Sequence, residues 1–216
     1  MNKTILLAAA ILMACGSLNA QTMIGKNEIR LSSDLMTPEA LWAMGRIGTV
    51  QASPDGEKVV YQVGYYSVKE NKGHQMLFVM DADGLNKKQL TEDRADETDG
   101  AWLDNRKIAF LRDGQLWSMN SDGTDRKQLT HSKISIEGFK FSPDGRQVLL
   151  IKSIPYHGSI QKDPADLPLA TGRIITDLNY RHWDHYVETI DHPFLAQVTS
   201  SGIDEGTDIL DGEPYE

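Results

Sequence analysis

The densest chemistry-bearing stretch of the chain is His182-Trp-Asp-His185-Tyr-Val-Glu188, where two imidazoles and two carboxylates fall within seven residues. On a helix His182, His185 and Glu188 would share one face at i, i+3 and i+6, a spacing able to gather ligands around a metal ion. The stretch lacks the His-Glu-x-x-His order that sets a zinc pair and a base in register. Asn179-Tyr180 just upstream reads as strand. No metal or other cofactor is therefore expected, and the bland reading is an aromatic-anchored segment packing onto its neighbours. Nucleophilic catalysis of the α/β-hydrolase kind needs a serine on a Gly-x-Ser-x-Gly elbow. No serine of this chain has that glycine pair, so no catalytic residue is expected.

Asp81, Asp83, Asp122 and Asp144 resemble calcium-loop carboxylates only superficially. Gly84 comes too early for an EF-hand and Val79 stands where a ligand oxygen is needed. These aspartates belong to turns. Ala52-Ser-Pro-Asp-Gly56 precedes the apolar run Lys58–Val63, and Phe141-Ser-Pro-Asp-Gly145 precedes Arg146–Ile151. Proline at the second position suits a type I turn, and glycine at the fourth takes the left-handed conformation that returns the chain as a hairpin. A middle copy, Leu103-Asp-Asn105, has no proline, and Asn105 is expected to supply the positive φ. A second turn, Asp81-Ala-Asp-Gly84, recurs as Asn120-Ser-Asp-Gly123, and Lys-Gln-Leu-Thr follows both at the same 39-residue offset.

Two hairpin turns recurring in phase mean four strands in about 40 residues, the signature of a propeller blade. The expected fold is all-β: an incomplete β-propeller of about three four-stranded blades over 47–92, 97–131 and 135–212. The first-turn spacing is 49 residues and then 40, which places an insertion near Gly64–Gly73. An excursion over 154–172 interrupts the third blade, and the last two strands are expected at His192–Val198 and Gly206–Gly212. Asn86-Lys-Lys88 and Asp125-Arg-Lys127 occupy equivalent positions and read as a solvated blade edge. Trp42, Trp102, Trp117 and Trp183 fall one per element, as core residues do, with no stacking row for bases or sugars.

Ahead of the blades, 21–46 is a polar leader ending in a helix at Thr37-Pro-Glu-Ala-Leu-Trp-Ala-Met44. Thr37 is its N-cap, Pro38 its first residue, and Leu41, Met44 and Trp42 the face expected to dock. Lys3, the apolar run Thr4–Ala14 and Leu18-Asn-Ala20 form a signal peptide over 1–20. That run is too short to span a bilayer. The expected location is the periplasm of a Gram-negative bacterium, with lipid attachment at Cys15 as the alternative. Cleavage after Ala20 would leave a mature chain with no cysteine and hence no disulfide. A net charge of −9 argues against nucleic-acid partners.

The Thr-Pro-Glu-x-Leu-Trp helix before Ser-Pro-Asp-Gly, the Asp-x-Asp-Gly…Gln-Leu-Thr blades and Arg181-His-Trp-Asp184 together resemble the prolyl oligopeptidase family of serine peptidases. Within it the likeness is to the exported dipeptidyl- and acylaminoacyl-peptidase branch, from about Leu35 to Glu216. The resemblance implies an N-terminal propeller that caps an α/β-hydrolase domain and admits short peptides, with the catalytic machinery outside this chain. It also implies a role for Asp184 or Glu188, since some dipeptidyl peptidases pair a propeller carboxylate with the substrate's free α-amine. Three blades leave a propeller open, so the chain is expected to be the front of a longer protein. The alternatives are a TolB-like periplasmic propeller that scaffolds partner proteins, and a truncated remnant without a stable fold.

Overall fold

Each sequence repeat becomes one antiparallel sheet. The computed structural model describes residues 23–30, 33–156, 161–162, 173–174 and 189–213. The first sheet orders β1 (Arg46–Ala52), β2 (Lys58–Ser67), β3 (Lys72–Asp81) and β4 (Lys88–Gln89) side by side. The second does the same with β5 (Thr98–Trp102), β6 (Lys107–Arg112), β7 (Gln115–Asn120) and β8 (Lys127–Gln128). The third is β9 (Ile136–Phe141), β10 (Gln147–Pro155), β13 (Thr189–Gln197) and β14 (Thr207–Asp208). Between β10 and β13 in sequence lies a two-stranded ribbon, β11 (Gln161–Lys162) with β12 (Arg173–Ile174). The expected all-β fold of three four-stranded blades behind one short helix, α1 (Pro38–Ala43), is what the described residues form.

The middle blade is buried on both faces, and strand periodicity explains how. On β6, Ile108 and Phe110 point into one apolar layer with Val60, Leu77, Val79 and Leu90 of the first blade. Ala109 and Leu111 point the other way, against Ile136, Val148, Leu150 and Ala196 of the third. Each large side chain withdrawn from water contributes about 1.5–3 kcal/mol.

The recurring turn residues are held by recurring hydrogen bonds. Ser53 Oγ accepts from Lys58 N at 2.9 Å and donates to Asp55 Oδ1 at 2.6 Å. Ser142 repeats this with Gln147 N at 3.0 Å and Asp144 at 2.6 Å. Gly56 and Gly145 take φ of 74° and 66°. The Ser-Pro-Asp-Gly turn and the second turn of a blade sit together, since Ala82 N donates to Glu57 O at 2.8 Å and Ser121 N to Arg106 O at 2.6 Å. Lys-Gln-Leu-Thr recurs because the ladder of the fourth strand stops after two residues. Thr91 and Thr130 hydroxyls then accept from Leu77 N and Leu116 N, both at 2.9 Å, and Gln89 and Gln128 side chains donate to the threonine carbonyls at 2.7 Å.

Three expectations need correction. Asn105 is not a positive-φ residue. Its turn closes from Leu103 N to Lys107 O, one residue tighter than Ser53 N to Lys58 O, so no left-handed position is required. Asn105 Oδ1 instead accepts from Asp55 N of the neighbouring blade at 3.1 Å. Secondly, Leu41 and Met44 stay half-exposed, and the buried residue of α1 is Ala40. The chain passes so close to β2 at Gly45 that a Cβ there would fall 2.8 Å from Val63 and Tyr65. Trp42 packs edge-on against Tyr66 at 5.7 Å with the Arg46 guanidinium over both rings. Thirdly, Arg126 is not part of a solvated edge, because its guanidinium turns inward onto Glu97 and the Leu90 carbonyl.

The insertion near Gly64–Gly73 is a lengthened hairpin. β2 and β3 have ten residues each where β6 and β7 have six, and the turn 68–71 has four residues where 113–114 has two. Less the residue missing from the Asn105 turn, that is the excess of 49 over 40 in the spacing. The third blade lengthens its equivalent hairpin to nine pairs, from Gln147↔Gln197 to Pro155↔Thr189, so the intervening chain is 156–188 rather than 154–172.

Thr130→Val removes the acceptor for a buried Leu116 N–H and the donor to Gln115 Oε1. It should lower unfolding free energy by about 1–3 kcal/mol, read as a smaller urea midpoint with an unchanged slope.

Candidate functional site

The sequence-singled residues His182, Asp184, His185 and Glu188 lie outside the described residues. Their attachment is described. The segment 156–188 leaves at Pro155 and returns at Thr189, which are ladder partners. Three registers below, Lys152 and His192 face each other across the ladder, both buried on the face that carries Val148 and Leu150. Lys152 Nζ donates to Glu205 O and Glu205 Oε2 at 2.7 and 2.8 Å and sits 4.9 Å from the Phe194 ring centre. His192 Nδ1 lies 2.8 Å from Asp208 Oδ2. On the opposite face Ser153 Oγ donates to Asp191 at 2.6 Å. The Lys152 ammonium holds the Glu205 carboxyl below the usual carboxylate range. Burial pushes Asp208 up, but His192 and the Leu210 N–H outweigh it and leave its carboxyl lowered. These pairs pin the short β14 to the interior of the blade at the root of the segment that carries Asp184 and Glu188.

A cavity of about 580 Å³ opens where the first strands of all three blades begin. It is lined by Thr49, Asp99 and Glu137 from β1, β5 and β9, and by Gln62, Asp113 and Ser135 among others. All three first strands break register there, between Ile47 and Val50, between Thr98 and Ala101, and at Glu137. A bulge re-aims the side chains beside it, here towards the cavity. Asp96, Asp99, Asp113 and Glu137 supply carboxylates, and the lining cation is Arg112. Such a lining accommodates cationic groups. It offers no nucleophile–base pair, since no histidine lines it; the buried His74 Nδ1 lies 2.8 Å from the Ile24 carbonyl and His192 Nδ1 2.8 Å from Asp208. Nor do three metal-ligating side chains come together among them.

Arg112 is already engaged behind this cavity, in a cluster that sequence reasoning missed. Glu97 is fully buried between the first and second blades. Its carboxylate receives Arg112 Nη1 at 3.2 Å, the Arg126 guanidinium, and the Thr91 hydroxyl at 2.9 Å. Arg112 Nη2 also reaches Asp93 at 2.7 Å. Burial pushes the Asp93 carboxyl up, but the Ala95 N–H and Arg112 hold it below its ordinary value. The one sequence signal was arginine at 126 where the aligned position of the preceding repeat has Lys87. Arginine's fork, unlike lysine's point charge, can serve a carboxylate and a carbonyl together.

Three blades with in-phase turns and a shared cavity at the head of their first strands define a propeller-type β domain. Solved structures show the same fold. The orthorhombic form of the Pyrococcus horikoshii acylaminoacyl peptidase superposes with a TM-score of 0.54 at 15% identity, covering 76% of this chain and 25% of that one. An acylaminoacyl peptidase in complex with Z-Gly-Gly-Phe-chloromethyl ketone gives 0.51 at 14% identity, covering 73% and 24%.

In sequence the chain is similar to dipeptidyl-peptidase 5 of Porphyromonas gingivalis, 43% identical over 223 residues that cover 100% of this chain and 32% of that protein. Dipeptidyl-peptidase 5 of Porphyromonas endodontalis is 38% identical, over 85% of this chain and 27% of its own length. The chain thus spans about a third of the length of the curated relatives it matches. No protein-family model matches it. The resemblance drawn from the motifs holds: the chain corresponds to the N-terminal propeller part of peptidases of this kind.

Glu97→Gln leaves two guanidiniums facing a neutral amide and should cost about 3 kcal/mol of unfolding free energy in urea titrations. Acid should act through Asp93, Glu205 and Asp208. Their folded pKa values lie below the unfolded ones, so their stabilisation is present above the unfolded carboxylate range and is lost as pH falls through the folded values. The melting temperature should hold from neutrality to about pH 5 and then decline.

Proposed function

We propose that this chain is the N-terminal propeller portion of an exported serine exopeptidase that removes dipeptides from peptide N-termini. The observation that carries the reading is the 43% identity to dipeptidyl-peptidase 5 across the whole chain. The signal-peptide pattern over 1–20 supports export to the periplasm. In this reading nucleophile, base and oxyanion hole belong to an α/β-hydrolase domain encoded beyond the matched third, and the propeller restricts entry to short or unstructured peptides. Asp184 or Glu188, borne by the segment rooted at Pro155 and Thr189, pairs with the substrate's α-ammonium. A carboxylate–ammonium pair shielded from water is strong enough to select free N-termini over blocked ones.

The test is to assay the 216-residue chain alone and joined to its downstream coding sequence, on a chromogenic dipeptide substrate. The joined protein should release dipeptide and the chain alone should not. In the joined protein Asp184→Asn or Glu188→Gln should raise KM for free-amine substrates about tenfold, equivalent to about 1.4 kcal/mol. Cleavage of the N-acylated analogue should be unaffected. A downstream sequence without a Gly-x-Ser-x-Gly elbow would overturn the reading.

A further inference from the structure

Asp-Gly occurs seven times in the chain, at 55–56, 83–84, 99–100, 113–114, 122–123, 144–145 and 211–212. Any such pair can rearrange without an enzyme. The glycine amide nitrogen gives up its proton and attacks the aspartyl Cγ, a C–N bond forms, and one water leaves, giving a succinimide. Water then adds to either imide carbonyl, restoring aspartate or leaving isoaspartate, in which the backbone runs through the side chain. No oxidant or reductant is involved. The rearrangement needs a free glycine N–H and a carboxyl group able to swing towards it.

The structure divides the seven pairs by these two requirements. In four turns aspartate is third and glycine fourth. There Gly56, Gly84, Gly123 and Gly145 donate their N–H to Ser53, Asp81, Asn120 and Ser142 carbonyls at 2.8–2.9 Å. The carboxylates are tied as well. Asp55, Asp83, Asp122 and Asp144 each accept from the backbone N–H two residues on, at 2.9–3.1 Å. Both reactants are held apart. Gly100 is buried inside β5 against Leu77 and Val60, which shields its amide from the solvent base that would deprotonate it.

Asp113-Gly114 and Asp211-Gly212 are built differently, with aspartate second and glycine third in the turn. The Gly114 and Gly212 amides have no hydrogen-bond partner among the described residues. The Asp113 side chain is 74% exposed, and its one ion pair among the described residues is with Arg112 Nε at 3.5 Å. Asp211 is likewise exposed, beside a turn closed by Glu213 N to Leu210 O at 3.0 Å.

The structure assigns Asp113-Gly114 and Asp211-Gly212 as the sites of spontaneous isoaspartate formation in this protein. Asp113-Gly114 is the consequential one. Gly114 O accepts from Ile136 N at 3.0 Å, and a Cβ on Gly114 would fall 2.7 Å from Ser135 Oγ, so this tip joins the second blade to the first strand of the third. It also lines the cavity between the blades. Inserting a methylene into the backbone here displaces that carbonyl and repositions the carboxylate at the cavity rim.

The test is peptide mapping with electron-transfer fragmentation, which separates isoaspartate from aspartate at equal mass. The whole 216-residue chain is incubated at neutral pH, once folded and once in urea. In urea all seven sites should convert at comparable rates. In the folded chain conversion should continue at 113 and 211 and be suppressed several-fold at 55, 83, 99, 122 and 144. The variant Asp113→Glu should abolish conversion at that tip and, measured against its own starting melting temperature, should lose less on ageing than wild type. Equal folded and unfolded rates at every site, or folded-state conversion concentrated in the four blade turns, would overturn the assignment. Absence of conversion at both 113 and 211 in the folded chain would do the same.

Discussion

The Glu97 carboxylate is the constraint on which the junction of the first two blades depends. It is withdrawn from water between the sheets, and an isolated charge in that position would be prohibitively costly. Two guanidiniums and a threonine hydroxyl make it tolerable, and each comes from a different element: Thr91 after β4, Arg112 at the end of β6, Arg126 before β8. An apolar layer such as Val60, Leu77, Ile108 and Phe110 holds sheets together but is permissive about their exact offset. A fork-shaped hydrogen-bond donor is not permissive. The ion cluster therefore fixes how far one blade is displaced along the other, and the apolar layers supply the bulk of the attraction.

The third blade uses the same device with weaker means. Lys152 is buried, but its partner Glu205 is largely in solvent, so the pair is better screened than the Glu97 cluster. With His192 and Asp208 it holds a two-residue outer strand under a hairpin that carries a segment of more than thirty residues. Polar groups have replaced apolar packing at the root of that segment, in a blade whose other layers are ordinary hydrophobic core.

What could be read from the sequence were the features that repeat. Ser-Pro-Asp-Gly, Asp-x-Asp-Gly and Lys-Gln-Leu-Thr each prescribe a local hydrogen-bond pattern, and each pattern is present as the residues demand. Hidden were the features made once, from residues distant in sequence. Arg126 sits in a charged tripeptide that looks solvated until the neighbouring blade brings Glu97 to it. Asn105 has the composition of a left-handed turn residue, yet its turn lost a residue and its amide bridges blades instead. Leu41 and Met44 satisfy the pattern of a docking face, but the close pass at Gly45 leaves Ala40 as the buried residue. The carboxylates most tempting as a site, Asp184 and Glu188, belong to the one stretch where no repeat constrained the reading.

The blades vary in length mainly at one end, since their second turns differ by only three residues, six at 82–87 and 121–126 and nine at 198–206. The Ser-Pro-Asp-Gly and Asp-x-Asp-Gly turns bond to one another across each blade, so an added residue there breaks contacts in both. The opposite hairpin tips range from two residues at 113–114 to the whole of 156–188. Chain length added to such a tip costs only slowly increasing closure entropy. One end of this domain thus varies little in length and the other is an open port for inserted sequence. Evolution can vary an inserted loop there without renegotiating the fold, and a protein engineer could graft a peptide at 68–71 on the same terms.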